Sequence, residues 1–341
     1  MPTIKKPNQH FDATLYTGNG SAQSITNAGG FQPDLVWQKP RSEVASHRLV
    51  DSVRGVNKSI NSNQTDAEAT DTNTLTAFNS NGFTGGGSNA VSSGQTAIAW
   101  QWKAGGATTV NTSGSISSNV SVNTTAGFSI VTYTGTGSAG TVGHGLGVAP
   151  SMIFIKTRSN IANWYVGHSS LTSWVYAIEG LNTSNGQSSQ PNTWNSTAPT
   201  STVFSLGTEG GVNTNTRTYV AYCWAEIAGF SKFGSYTGNG STDGPFVYLG
   251  FRPKFILFKT TSTVNTNGWV IMDTVRNTYN YMDLQLYPHL TNVEAQSSTY
   301  AIDAISNGFK IRNTNAVDNN NGDTFIYAAF AESPFKYANA K

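Results

Sequence analysis

The sequence predicts an all-β protein of three tandem homologous β-sandwich domains, with a Greek-key or jelly-roll topology left open, and three observations predict it. The first is a repeated hexapeptide: Tyr16-Thr17-Gly18-Asn19-Gly20-Ser21 returns as Tyr133-Thr134-Gly135-Thr136-Gly137-Ser138 and as Tyr236-Thr237-Gly238-Asn239-Gly240-Ser241. The second is that two more markers follow each copy in the same order. One is a glycine-proline turn feeding an apolar run that ends in lysine, Gly30–Lys39, Gly147–Lys156 and Gly250–Lys259. The other is an apolar, aromatic run with small alanines, Thr96–Trp102, Thr218–Trp224 and Thr324–Phe330, which reads as a central strand packed on both faces. The third observation is local. Turn pairs such as Asn81-Gly82, Asn267-Gly268, Asn307-Gly308 and Asn321-Gly322 separate runs of β-branched and aromatic residues, and no stretch sustains a capped 3.6-residue apolar period.

Taken in order, residues 1–9 carry Pro2, Lys5, Lys6 and Pro7 and are too short to join a sandwich as a full strand, which makes them a candidate N-terminal docking arm. Repeat 1 occupies 10–106. A Thr/Ser/Asn-rich connector, 107–126, lengthens the spacing to the next copy, and the alternation in Ser115–Val122 predicts a strand inside it. Repeat 2 occupies 127–229 and repeat 3 occupies 230–341, each near the usual domain size.

Composition excludes several function classes. Only 11% of residues are charged, and 20 Lys+Arg stand against 18 Asp+Glu, a net charge of +2 with no basic block, so no nucleic-acid footprint is present. No window approaches the roughly 18 apolar residues of a membrane span, and Met1–Lys6 lacks the apolar core of a signal peptide. The expectation is a chain made in a cytoplasm and not inserted in a membrane. A single cysteine, Cys223, excludes an internal disulfide framework, and its apolar strand predicts an inert core thiol. With 17 Phe, 14 Tyr and 8 Trp the chain has enough aromatic surface to bury a core.

Few residues suggest chemistry. Asp51-Ser52-Val53-Arg54 is echoed by Asp273-Thr274-Val275-Arg276, a spacing that suits a bidentate fork for a sugar or carboxylate. The favoured reading is a structural ion pair fixing a turn, because repeat 2 places His168-Ser169 there without an arginine. Glu68 and Glu294 fall at comparable later positions and read as loop anchors. The five histidines show no metal-ligand spacing, Asp318–Asp323 fails the calcium-loop pattern and reads as a hairpin turn, and Gly18-Asn19-Gly20 lacks the lysine and helix of a phosphate loop. No catalytic residue, cofactor or metal is therefore assigned. Trp164, Trp174, Trp194 and Trp269 lie in loop-like or edge-like surroundings and are the candidate glycan or partner contacts, with core burial the default for each taken singly.

The repeated markers, together with Asp51-Ser52-Val53-Arg54-Gly55 and the terminal Ala328–Lys336, resemble a family of repeat-bearing bacteriophage virion proteins of aquatic phages, tail-fibre-like or decorative. The resemblance covers nearly the whole chain. It implies a virion structural role with no catalytic residues to carry over, in one of two places: a tail appendage with repeats in a string and an outer domain on a host glycan, or a capsid-surface decoration or head fibre. It also implies virion-protein partners and self-association, with a homotrimer expected because phage fibres are usually threefold. A glycan-degrading enzyme is the third reading.

Overall fold

The computed structural model describes residues 4–87, 92–264 and 267–333. The first repeat runs through β1 (Phe11–Thr17), β2 (Gln23–Thr26), β3 (Leu35–Pro40), β4 (Arg48–Asp51), β5 (Lys58–Asn61), β6 (Ala69–Thr70), β7 (Leu75–Asn79), β8 (Gly82–Gly85) and β9 (Thr96–Trp102). The second adds β10 (Thr109–Asn111), β11 (Ser118–Asn123), β12 (Phe128–Thr134), β13 (Gly140–Gly143), β14 (Met152–Thr157), β15 (Tyr165–His168), β16 (Tyr176–Glu179), β17 (Gln187–Ser189), β18 (Val203–Leu206) and β19 (Thr218–Trp224). The third has β20 (Ser231–Thr237), β21 (Phe246–Tyr248), β22 (Arg252–Thr260), β23 (Val270–Asp273), β24 (Leu284–Gln285), β25 (Ala295–Gln296), β26 (Ile302–Ile305), β27 (Gly308–Ile311) and β28 (Thr324–Ser333). Helical structure among the described residues is confined to single turns.

Each repeat builds one large and one small sheet, and repeat 3 adds a two-stranded ribbon, β24-β25. The large sheets order as β1-β9-β3-β4-β5-β6, as β10-β11-β12-β19-β14-β15-β16-β17 and as β20-β28-β22-β23; the small ones as β2-β8-β7, β13-β18 and β21-β27-β26. In every large sheet the third marker supplies the middle strand of an antiparallel trio, flanked by the strands of the first and second markers. The register is shared as well. Phe11 pairs Trp102, Phe128 pairs Trp224 and Ser231 pairs Phe330, while Lys39, Lys156 and Lys259 pair Ile98, Val220 and Ile326.

Alternation along the middle strand explains its composition. Successive side chains point to opposite faces of a sheet. Tyr219, Ala221 and Cys223 enter the core that repeat 2 makes with its own small sheet, whereas Val220, Tyr222 and Trp224 enter a different one. β9 and β28 divide likewise: Ile98, Trp100 and Trp102, and Ile326, Ala328 and Phe330, face that same second core. This core is shared by all three repeats. At its centre the closing residues of the third markers meet, with Trp102 ring centroids 6.1 Å from Trp224 and 5.7 Å from Phe330, edge to face. The string of separate sandwiches expected from the sequence is replaced by three sandwiches packed back to back. A two-sided apolar strand is also what a single sandwich with a buried central strand would need, so the strand pattern alone did not distinguish the two.

The two flanking segments are both packed into the body. The strand expected within Ser115–Val122 is present as β11, and with β10 it extends the large sheet of repeat 2, Thr109–Asn111 pairing Ser118–Val120 and Ser118–Asn123 pairing Phe128–Tyr133, so 107–126 belongs to that sheet and does more than connect two repeats. Within 1–9, residues 1–3 lie outside the described residues. Ile4 is buried in the shared core and Pro7, opening the 3-10 turn Pro7–Gln9, is buried too, so residues 4–9 are packed against the body and are not a free arm.

Candidate functional site

Buried ion pairs lie at two of the seams between repeats. Asp51 accepts from the backbone N–H of Val53 and Arg54 and pairs with Arg54 Nε at 2.5 Å, which fixes the turn after β4. Arg54 then reaches out of its own repeat: Nη2 donates to Leu49 O at 3.0 Å and to Tyr222 Oη of repeat 2 at 3.2 Å, while Nη1 meets Glu68 at 3.0 Å. Tyr222 Oη donates to Asp51 at 2.7 Å, and Arg158 of repeat 2 clasps Glu68 through Nε at 2.9 Å and Nη2 at 3.1 Å. Burial works against the Arg54 charge, but Asp51, Tyr222 and Glu68 outweigh it and hold the guanidinium protonated. Burial likewise opposes the Glu68 carboxylate, yet Arg158 and Arg54 keep it below the ordinary range.

The seam between repeats 3 and 1 is built the same way. Asp273 pairs Arg276 at 2.7 Å, Trp100 Nε1 of repeat 1 donates to Asp273 at 3.2 Å, and Glu294 bridges Arg276 to Arg41 of repeat 1. At the third seam His168 replaces the aspartate. Its Nδ1 accepts from Ser170 N–H, leaving Nε2 to donate to the Tyr327 carbonyl of repeat 3 at 3.2 Å, and burial brings its pKa down to about 4. The exchange has a reason. Where the neighbour offers an indole or phenol hydrogen, from Trp100 or Tyr222, a carboxylate receives it; where the neighbour has Ala328, a neutral imidazole finds the backbone instead. The missing arginine of repeat 2 therefore marks a different solution to one packing problem.

A second contact type runs round the same cycle. Lys39, Lys156 and Lys259 are fully buried, and each ammonium donates to backbone carbonyls, including one in the preceding repeat: Thr291 O at 3.4 Å, Thr65 O at 3.0 Å and Ser184 O at 3.1 Å. Burial lowers Lys39 to about 8 against the pull of Glu43 and Glu294, Lys156 to about 8 against that of Asp66, and Lys259 to about 7. Removing one partner from such a buried set costs about 3–5 kcal/mol for an ion pair, because the remaining charge is stranded.

The tryptophans singled out in the sequence do not form a glycan site. Trp164 and Trp269 are buried in the shared core, where Nε1 donates across a seam to Asn61 O at 3.0 Å and to Gly180 O at 2.9 Å. Trp194 is buried inside repeat 2, with half-buried Trp174 edge-on to it at 5.5 Å. Three of the four cannot meet a ligand, and the cause is a neighbour supplied from far away in sequence. Cys223 is buried, with its thiol pushed well up by burial. No group of three His, Cys, Asp or Glu side chains able to hold a metal occurs among the described residues.

Exposed aromatics lie elsewhere, on the outward face of the small sheet of repeat 3. Phe246 and Tyr248 flank the inward Val247 on β21, and Tyr279 and Tyr281 lie on the loop beside β26. Sequence inspection passed over them. The signal was available in the repeat itself: the corresponding strands read Ser24-Ile25-Thr26 and Thr141-Val142-Gly143, so only the third copy flanks its inward residue with rings.

A family model described as a domain of unknown function (DUF7483) matches residues 6–334. The chain belongs to this family. The match spans all three repeats in one piece. No curated protein and no solved structure matches this family member.

Proposed function

We propose that the chain is a non-catalytic structural component of a bacteriophage virion, made in the host cytoplasm and carried on the particle as a fibre-like tail appendage that meets a host glycan. The observation that supports it most is the locking of three Ser/Thr/Asn/Gly-rich sandwiches around one aromatic core by buried ion pairs and lysine clamps, without a disulfide. Such a body suits a part that must stay folded outside a cell. The resemblance of the repeated markers to aquatic phage virion proteins points the same way. Asp51, Asp273, Glu68 and Glu294 are each engaged by arginine, which argues against their use as an acid-base pair and leaves glycan degradation the weakest reading.

The second reading, a capsid-surface decoration or head-fibre knob, gains from the back-to-back packing, since a compact body serves a tip or a decoration better than a shaft. Other virion proteins are the partners in both readings, and a homotrimer would set three of these cycles together. Mass spectrometry of gradient-purified particles, followed by cryo-electron microscopy to locate the density, tests the proposal. Detection at a fixed copy number on tail or capsid is the expected result. Particles that lack the protein while the infected cell contains it would overturn it.

A further inference from the structure

We infer that the outward face of the small sheet of repeat 3 is a saccharide-binding surface, with Phe246, Tyr248 and Tyr281 stacking on hexose rings and Lys310 and Asp303 bonding their hydroxyls. The register places these residues in line. Phe246 pairs Lys310, Lys310 pairs Asp303, and the Met282–Ile302 bridge sets Tyr281 opposite Asp303, so one cross-strand row has a ring at each end and a cation and a carboxylate between. Tyr248, on the same strand as Phe246, borders the row at the next outward position, opposite Gly308. A Cβ at Gly308 would collide with the Val247 carbonyl oxygen and lie 3.0 Å from the Phe246 ring, so glycine there, like Gly82 in repeat 1, lets the partner strand approach and leaves that space to the ring.

The other two repeats act as internal controls. They need the same sheet for the same scaffold, yet at the matching places they carry Ser24, Thr26 and Thr84, or Thr141 and Gly143. Rings on the third copy alone are not a requirement of the fold. Exposed aromatics with hydrogen-bonding groups between them match the two aspects of a sugar, an apolar C–H face and a rim of hydroxyls. Lys310 is held by Asp243 at 2.8 Å and Gly244 O at 3.0 Å, and Asp303 by Arg312 at 2.6 Å, so the polar centre is positioned before any ligand arrives.

A second copy of the chain fits this face less well. Three strand spacings by three residues amount to about 150 Å², against the ~800 Å² per partner of a stable protein interface. A protein partner would also have to desolvate the charged row, whereas hydroxyls replace its water.

The inference rests on the recognition role proposed above, and its test is read separately from particle composition. The purified full chain is applied to an array of short glucose, galactose, mannose and N-acetylglucosamine oligomers together with bacterial lipopolysaccharide and capsular polysaccharide. Retention of at least one is expected, with Tyr248→Ala and Tyr281→Ala each weakening it by about 3- to 10-fold at unchanged melting temperature. Tyr248→Phe should restore stacking, and Thr26→Ala, at the matching place in repeat 1, should change nothing. An array on which nothing is retained, or retention that survives the Tyr248→Ala/Tyr281→Ala double variant, would overturn the inference. So would sedimentation showing that the double variant only dissolves a dimer. Particles lacking the protein would sink the virion reading and leave the array result standing.

Discussion

Asp318 lies in the helical turn Ala316–Asn319, with one carboxylate oxygen accepting from Asn313 Nδ2 at 3.0 Å and Oδ1 buried with no hydrogen-bond partner among the described residues. Burial raises its pKa to about 7. Val212 stands at this place in repeat 2, and its carbonyl accepts from Tyr133 Oη as the Asp318 carbonyl does from Tyr236 Oη, both at 2.7 Å. The backbone therefore fills the structural role and the carboxylate is an added burden. Because the folded pKa lies above the unfolded one, the protonated acid favours the fold: its contribution is fully present below about pH 4 and is lost as pH rises toward 7. Asp318→Asn should therefore match the wild type near pH 4 and exceed it at pH 8 by on the order of 2–4 kcal/mol, checked by denaturant titration at both values. This residue was read from the sequence as part of a hairpin turn, since nothing in Asp318–Asp323 shows that one of its acids is buried. The Asp51–Arg54 and Asp273–Arg276 pairs were legible because both partners lie within four residues. Trp164 and Trp269 were not, because what buries them comes from another repeat.

Among elements, the strands of the three markers could be placed from alternation and turn residues, since those signals are local. Pairing across repeats has no local signal. Ile4 shows the difference: in sequence it is one apolar residue between Pro2 and Lys5, and in the fold it fills the shared core beside the packed turn Pro7–Gln9. A free docking arm over residues 1–9 could be removed and leave the domains intact. With Ile4 and Pro7 buried, the deletion should instead lower stability, and Ile4→Ala alone should cost about 2–5 kcal/mol, measurable by chemical unfolding. A truncated chain as stable as the full one would show that the turn adds nothing to the core.

For the whole molecule, the shared core couples the three sandwiches. One unfolding transition is expected, with near- and far-ultraviolet circular dichroism coinciding, in place of three steps. The isolated 107–229 segment should bind apolar dyes or aggregate, because Val220, Tyr222 and Trp224 would lose their cover. Independent melting of a soluble single repeat would contradict this. The closed seams also bear on how such a gene can change. Open solenoids gain and lose repeats freely, since each unit contacts only the next and any number can stack. Here the lysine of each repeat grips the one before it and the first grips the third, so a fourth copy has no seam to enter and a lost copy leaves two faces bare. Unequal recombination between the similar stretches should therefore be purged at the level of folding, and the gene is free to vary mainly at outward positions, where the third copy carries rings and the other two carry Ser, Thr or Gly.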